Sequence, residues 1–345
     1  MKRGPLSTKR LFTAFFFVAL LISAIGVVRS SFLPEQDFLS STIIDDALYY
    51  LIPAQNLLNG YGYSFDKIHK TNGVEPAWAV MALLIAALCP DRLAVMRLLV
   101  LSGGLLWLLA GALLFVALFP RWPALSVVSA IVWLFTGFNN RLALQGMENG
   151  LTGFLLALMV WLGARFLHSR DLKPIWFYAI LGLVAALVSL SRVEMVILPF
   201  LLTVATLLGI FDRPDRLKFS YRQAAAVACP TLLLFGTYVM INLVYFRGLL
   251  PVSGAVKHFY NQKWLQATGW PFGGFYGNLV FQLTYPWNLV SSTITLSSDA
   301  FFWKYFGIAV GPARLQTVLN IVCFIGLALS SIIFFLDGRS RRLSF

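Results

Sequence analysis

Long apolar runs alternate along this chain with short polar stretches. Leu11–Val28, Ala94–Phe119, Ala124–Phe138, Leu151–Leu167, Ile175–Leu190, Met195–Phe211, Ala224–Phe246 and Leu315–Leu336 are the continuous apolar segments. A helical membrane span takes about 20 such residues, with ~17–25 the usual range. The pattern therefore predicts an all-α polytopic membrane protein with about eight transmembrane helices; several segments sit near the minimum length, so the bounds are about seven to ten. A ninth stretch, Trp78–Leu88, is too short to span. It reads as a re-entrant or juxtamembrane helix.

Two segments break the pattern, 29–93 and 247–314, both too aromatic to be free loops. The second carries Trp264, Trp270, Tyr276, Trp287 and Trp303. Rings with a polar edge favour the headgroup layer, which predicts short helices lying along the membrane and covering a cavity. In the first segment, 46–59 reads as one such helix, with Asp45 as N-cap and Gly60 as stop. Leu48, Leu51, Ile52, Gln55 and Leu58 form its expected buried stripe. Pro53 removes a hydrogen bond and kinks or divides it.

Composition agrees with the pattern. Of 345 residues, 59% are hydrophobic and 12% charged, where a soluble domain carries about 25% charged residues. The mean hydropathy is +0.78. A net charge of +13 raises the question of nucleic acid, but much of the excess lies in short loops beside the apolar segments. These are Lys2, Arg3, Lys9 and Arg10; Arg165, Arg170 and Lys173; Arg213, Arg216, Lys218 and Arg222; and Arg339, Arg341 and Arg342. Cytoplasmic loops retain positive charge, and anionic lipid headgroups attract it. No basic stripe lies on a soluble face, so nucleic acid is not an expected partner.

The basic loops agree on one side only if Trp78–Leu88 does not cross. The N-terminus is then inside, and 29–93, 139–149, 191–194 and 247–314 are outside with ten of the fourteen acidic residues. The functional face is expected to be external. No internal repeat or soluble domain appears, so 1–345 is read as one membrane domain. The first apolar segment starts like a signal peptide, but its run of about 18 residues favours an uncleaved anchor. Cys89, Cys229 and Cys323 form no spaced pair. With three His and no paired spacing, zinc is not expected, and His69 and His168 are read as inert.

The chemistry concentrates near the end of the first span. Asp45–Asp46 could serve as general base or as ligands of a divalent cation. As plain structure, the pair is a cap followed by an acid favoured by the helix dipole. Downstream, Thr71-Asn72-Gly73-Val74-Glu75-Pro76-Ala77-Trp78 combines an Asn-Gly turn with a Pro suited to a first helical turn.

The string DDA-x-YY-x-x-x-AQN-x-x-x-G-x-G-x-SFD over Asp45–Asp66, followed by TNG-x-x-P-x-W over Thr71–Trp78, resembles the first outer loop of bacterial integral-membrane glycosyltransferases of the GT-C superfamily. Gly146-Met147-Glu148, Ser191-Arg192-Val193-Glu194 and Leu250-Pro251-Val252-Ser253-Gly254-Ala255-Val256-Lys257 are similar to its dispersed motifs, in the expected order. The sequence departs from the pattern at Glu75, where His, Gln or another residue is expected, and it reads as having no soluble C-terminal domain. The resemblance implies a GT-C-like fold in a bacterial inner membrane. It also implies transfer of a sugar from a polyprenyl-phosphate (or diphosphate) donor to a glycan, lipid or protein acceptor on the outer face.

In that family an acidic residue of the first outer loop is the base, which falls here to Asp45 or Asp46, with Asp45 preferred. Attack opposite the leaving phosphate would invert the anomeric centre. Arg192, Lys257 and His258 are the candidates for the donor phosphate, whose developing charge needs cations. The structural alternatives are a local Arg192–Glu194 ion pair, an interfacial arginine, and a solvated Lys257–His258 pair. Glu148, Glu194, Asn72 and Glu75 are the acceptor-side candidates. Glu148 otherwise reads as a first-turn acid paired with Arg141. Mg²⁺ or Mn²⁺ on Asp45–Asp46 is left open. The alternative functions are a lipid or sugar transporter, which often shows repeats and broken helices, and a non-catalytic scaffold of an envelope-polysaccharide complex.

Overall fold

The computed structural model of the protein describes residues 6–135, 143–168, 174–208 and 220–248. The described part is mostly helical, with one isolated antiparallel bridge, Ser64 to Lys70, in the loop over 59–75. In chain order the helices are α1 (Leu6–Ser31), α2 (Glu35–Ser41), α3 (Asp45–Leu58), α4 (Pro76–Leu88), α5 (Arg92–Leu118), α6 (Pro123–Phe135), α7 (Asn149–His168), α8 (Ile175–Ser191), α9 (Ile197–Leu207) and α10 (Tyr221–Ile241). A 3₁₀ turn, Val193–Val196, joins α8 to α9, and a π-turn, Asn242–Phe246, closes α10.

Seven of the eight predicted apolar segments form helices, and the eighth, Leu315–Leu336, lies outside the described residues. Three are long and apolar enough to cross a membrane: Thr8–Ser31, Arg92–Leu118 and Tyr221–Phe246. The apolar stretches Pro123–Phe135, Asn149–Arg165, Ile175–Ser191 and Val193–Leu207 fall below that length, at 10–17 residues. The outward faces are greasy. On α1, Phe15, Phe17, Leu21 and Ile25 are exposed, as are Leu232, Leu233 and Met240 on α10. Side chains of this kind suit contact with lipid, where apolar surface carries no exposure cost.

Helix directions follow from the contacts. The Phe16 ring of α1 stacks on Phe115 near the end of α5 at 4.0 Å. At the other end, Arg97 Nη2 donates to the Leu33 carbonyl at 3.0 Å, so the two helices are antiparallel. α6 returns along α5 through stacked Trp107 and Trp133 and bonds α1 through Ser23 Oγ and the Leu134 carbonyl. α7 runs parallel to α5, with Gly150 against Gly103 and Gly153 against Trp107. Thr152 Oγ1 donates to Ser191 Oγ at 3.1 Å, joining the start of α7 to the end of α8. The starts of α5 and α7 and the ends of α1 and α8 therefore share one end of the bundle.

The α5–α7 contact depends on glycine. A Cβ on Gly150 would lie 2.8 Å from Gly103 Cα, nearer than real contacts allow. Overpacking of this kind costs about 1–3 kcal/mol. Gly150→Val is expected to lower the melting temperature in detergent by several degrees. Gly163→Val, with nothing within 4 Å of its Cβ position, should change it much less.

α4 has 13 residues and is ~20 Å long at 1.5 Å per residue, short of the ~30 Å hydrocarbon core. Its Trp78, Ala82 and Ala86 are buried in one cluster with Val95, Met96 and Leu99 of α5 and Tyr50, Leu51 and Ala54 of α3. It thus lies beside the first turns of α5.

The expected stripe of α3 is corrected. Its buried residues are Ala47, Tyr50, Leu51, Pro53, Ala54 and Asn56, whereas Leu58 is 48% exposed. Only Leu51 of the predicted stripe is fully inside. The inward face is chosen for close fit and polar contact rather than hydrophobicity: Ala47 packs near Gly146, and Tyr50 meets a buried carboxylate. The helix also stays continuous through Pro53.

Candidate active site

Asp45 and Asp46 are the first two residues of α3 and both are exposed. Ile44, not Asp45, is the N-cap, and the Asp45 carboxylate instead accepts the Asp46 N–H at 3.1 Å. Two acids in a first turn complement the helix dipole, so their position has a structural explanation as well as a chemical one. One turn after Asp46 stands Tyr50, 4% exposed, whose hydroxyl donates to Glu148 Oε2 at 2.7 Å. Burial and the Glu148 carboxylate hold this phenol far above the ordinary tyrosine range. It is a donor at any working pH.

Glu148 precedes α7, and its carbonyl accepts the Thr152 N–H, as a helix start requires. Its side chain is 3% exposed. Buried carboxylates need hydrogen bonds and a countercharge, and Tyr50 and Arg192 supply them. Arg192 Nη1 lies 3.6 Å from Glu148 Oε1 and donates to Asn149 Oδ1 at 3.2 Å. Its Nε and Nη2 both reach Glu194 Oε1, at 2.8 and 2.7 Å. The Arg192–Glu194 pair is the local ion pair that the sequence allowed, and it extends to Glu148. Arg141, the predicted partner of Glu148, lies outside the described residues.

Glu75 joins the group from α4. Its Oε2 accepts the Val193 N–H at 3.0 Å, which ties the start of α4 to the turn after α8. Burial pushes the Glu75 carboxyl up to about 7 from an ordinary 4.5, against the partial relief of that backbone bond. The folded protein therefore holds this proton more tightly than the unfolded chain does. Its contribution to stability is full below about pH 4 and is lost as pH rises through about 7. Glu75→Gln is expected to flatten the fall in melting temperature between about pH 5 and pH 8 relative to wild type. Parallel curves for the two proteins would contradict this.

The motif residues divide into scaffolding and free chemistry. Asn56 Nδ2 donates to the carbonyls of Ser64 and Phe65, closing the loop after α3, where Gly60 (φ 83°) ends the helix as predicted. Asp66 accepts the N–H groups of Ile68 and His69 and pairs with His69 Nδ1 at 2.6 Å, an exposed turn that leaves His69 a local role. Trp78 Nε1 donates to the Gly146 carbonyl at 2.9 Å. Gly146 has φ 77° and packs on Ala47 and Ile43, so it admits α3 next to Glu148. Asn72 is buried and donates to Asn242 Oδ1 at 3.2 Å. Among the described residues, the Asp45 and Glu75 carboxylates each accept one backbone N–H, and the Asp46 carboxylate accepts none.

Glu148, Glu194, Arg192 and Glu75 thus converge, with Asn72 three residues from Glu75. Asp45 and Asp46 flank Ala47, which packs near Gly146. Lys257 and His258 lie outside the described residues. Sequence reasoning missed Tyr50, Asn149 and Asn242. Tyr50 sits inside a quoted motif and Asn149 directly follows one, and an Asn within the apolar run Ala224–Phe246 is itself a signal, since polar groups in spans are functional by default. Among the described residues no three His, Cys, Asp or Glu side chains are grouped as a metal site would need. A cation on Asp45–Asp46 would draw its other ligands from water and donor phosphate oxygens. Comparison with protein-family models, with curated proteins and with solved structures finds no match.

Proposed function

We propose that the protein is a GT-C-like integral-membrane glycosyltransferase that moves a sugar from a polyprenyl-phosphate-type donor to an acceptor on the outer face. One observation carries the reading. Segments remote in sequence, at 72–75, 148–149 and 192–194, bring charged and amide side chains to one end of an apolar bundle, beside the helix that opens with Asp45–Asp46. A buried polar cluster at one end of a membrane bundle suits a substrate with a charged head and an apolar tail.

In the proposed reaction, Asp45 or Asp46 takes the proton of an acceptor hydroxyl as its oxygen attacks the anomeric carbon. The bond from that carbon to the phosphate oxygen breaks, and the anomeric centre inverts. The electron pair leaves on polyprenyl phosphate, whose charge Arg192, Lys257 and His258 neutralise. A carboxylate placed in this way contributes roughly 10²–10⁴-fold. Glu75 and Glu148, with Tyr50 and Asn72, border the acceptor. An outer position for the cluster is supported by connectivity: the basic stretches 165–173 and 213–222 link the helix ends remote from it, and the positive-inside rule keeps such stretches in the cytoplasm.

The reading is tested with purified protein in nanodiscs offered a panel of undecaprenyl-phosphate-linked sugars. Release of undecaprenyl phosphate from at least one is expected. A protein that binds and consumes none of a broad panel would be a scaffold of an envelope-assembly complex rather than a transferase.

A further inference from the structure

Helix α10 ends in a π-turn, Asn242–Phe246, instead of another α-helical turn. Such a turn widens the helix and re-aims the side chains at its start, and it recurs at functional sites. Here it coincides with Asn242, 1% exposed, between the exposed apolar neighbours Ile241 and Leu243. The Asn242 Oδ1 accepts from Asn72. One turn earlier, the Tyr238 hydroxyl lies beside the Asn242 amide and within electrostatic reach of Glu75. Both Tyr238 OH and Asn242 Nδ2 are buried; they face each other, and among the described residues neither completes a well-formed hydrogen bond.

An unmet buried donor keeps the desolvation cost of burial uncompensated, and each such group in a native structure calls for a reason. Two of them adjoin Asn72 and Glu75, at the polar end of the bundle. Their chemistry selects a ligand class. Neutral amide and phenol groups beside the Glu75 carboxyl suit hydroxyls that both donate and accept, and this group of side chains includes no cation to pair with a phosphate. The phenol ring adds the flat apolar surface that a sugar ring can cover.

We propose that Asn242 and Tyr238 line, with Asn72 and Glu75, a subsite for a pyranose ring. The inference rests on the transferase reading above and names where that site reads its sugar. The ring belongs either to the donor lipid or to a glycan acceptor, and the experiment separates the two.

Tyr238→Phe is the informative variant, because among the described residues its hydroxyl faces only the Asn242 amide and completes no hydrogen bond. Asn242→Leu also removes the acceptor of Asn72, so it serves as the second variant, read only where its melting temperature stays at the wild-type value. Affinities are measured in nanodiscs for undecaprenyl phosphate, for undecaprenyl-phosphate-linked hexoses and for methyl hexosides. Tyr238→Phe is expected to keep the wild-type melting temperature and the affinity for the bare lipid phosphate, while weakening a sugar-bearing probe ~3–10-fold, as one neutral hydrogen bond allows. Loss confined to the lipid-linked hexose assigns the ring to the donor, and loss confined to the methyl hexoside assigns it to the acceptor.

Unchanged affinity for every sugar-bearing probe, in a protein that still consumes the donor, would overturn the subsite and leave the transferase reading intact. Equal weakening of bare and sugar-bearing lipid would also overturn it, since the pair would then serve the lipid or the fold. A wild-type protein that neither binds nor consumes any sugar-bearing probe would remove both readings together.

Discussion

Arg192→Met is expected to destabilise the protein by about 3–5 kcal/mol, as removal of one partner from a buried charge pair does. For a helical domain this corresponds to a melting temperature lower by on the order of 10 °C. The reason is Glu148. Its side chain is 3% exposed, with Tyr50 on one oxygen and Arg192 near the other. Without the guanidinium, a carboxylate remains in a dry site with a single hydrogen bond. Met is close to Arg in length and fills the stem's space, so the loss reflects charge rather than a cavity. The double variant Arg192→Met/Glu148→Gln should recover much of the loss, because a neutral amide still accepts from Tyr50. A double variant no more stable than Arg192→Met alone would show that the unpaired carboxylate is not the cause. Arg192→Lys should rescue only partly, since an ammonium cannot hold Glu194 through two donors while also reaching Asn149.

The second large effect is on activity. Asp45→Asn/Asp46→Asn is expected to reduce sugar transfer by roughly 10²–10⁴-fold, the usual range for a general base, with little loss of stability. Both side chains are exposed, and the Asp46 N–H donates to Asp45 Oδ1. First-turn acids contribute ~0.3–1 kcal/mol through the helix dipole, which Asn, itself a good helix-start residue, replaces in part. The single variants then assign the base. If Asp45 fills that role, Asp45→Asn carries nearly the whole loss and Asp46→Asn much less. The contrast with Arg192 is informative: one position is expected to fail in folding and the other in chemistry, although both lie at the same end of the bundle.

Much of this arrangement was legible from residue patterns. Apolar runs locate spans because a bilayer core demands them, and seven of the predicted segments are helices. Trp78–Leu88 falls on the short apolar helix Pro76–Leu88, whose length follows directly from the run of apolar residues. Gly60 stopped α3 as expected from its freedom at positive φ. The convergence of Glu148, Arg192 and Glu194 was half visible: Arg192–Glu194 is local, but its reach to Glu148 and Asn149, 44 and 43 residues away, depends on how α7 and α8 meet at Thr152 and Ser191. The inward face of α3 was misread for a related reason. In lipid, the greasiest face can point outward, so counting apolar residues selects the wrong side, and Tyr50 faces in because a carboxylate waits there. Asn242 could be noticed as a polar residue in an apolar run, but its pairing with Asn72 spans 170 positions, and no local spacing encodes it.

The most direct test of the account compares wild type and Asp45→Asn/Asp46→Asn side by side in nanodiscs, following release of undecaprenyl phosphate from lipid-linked sugars. The account predicts release by the wild type and its near-complete loss in the double variant, at matched melting temperatures. Equal release by both proteins would contradict it.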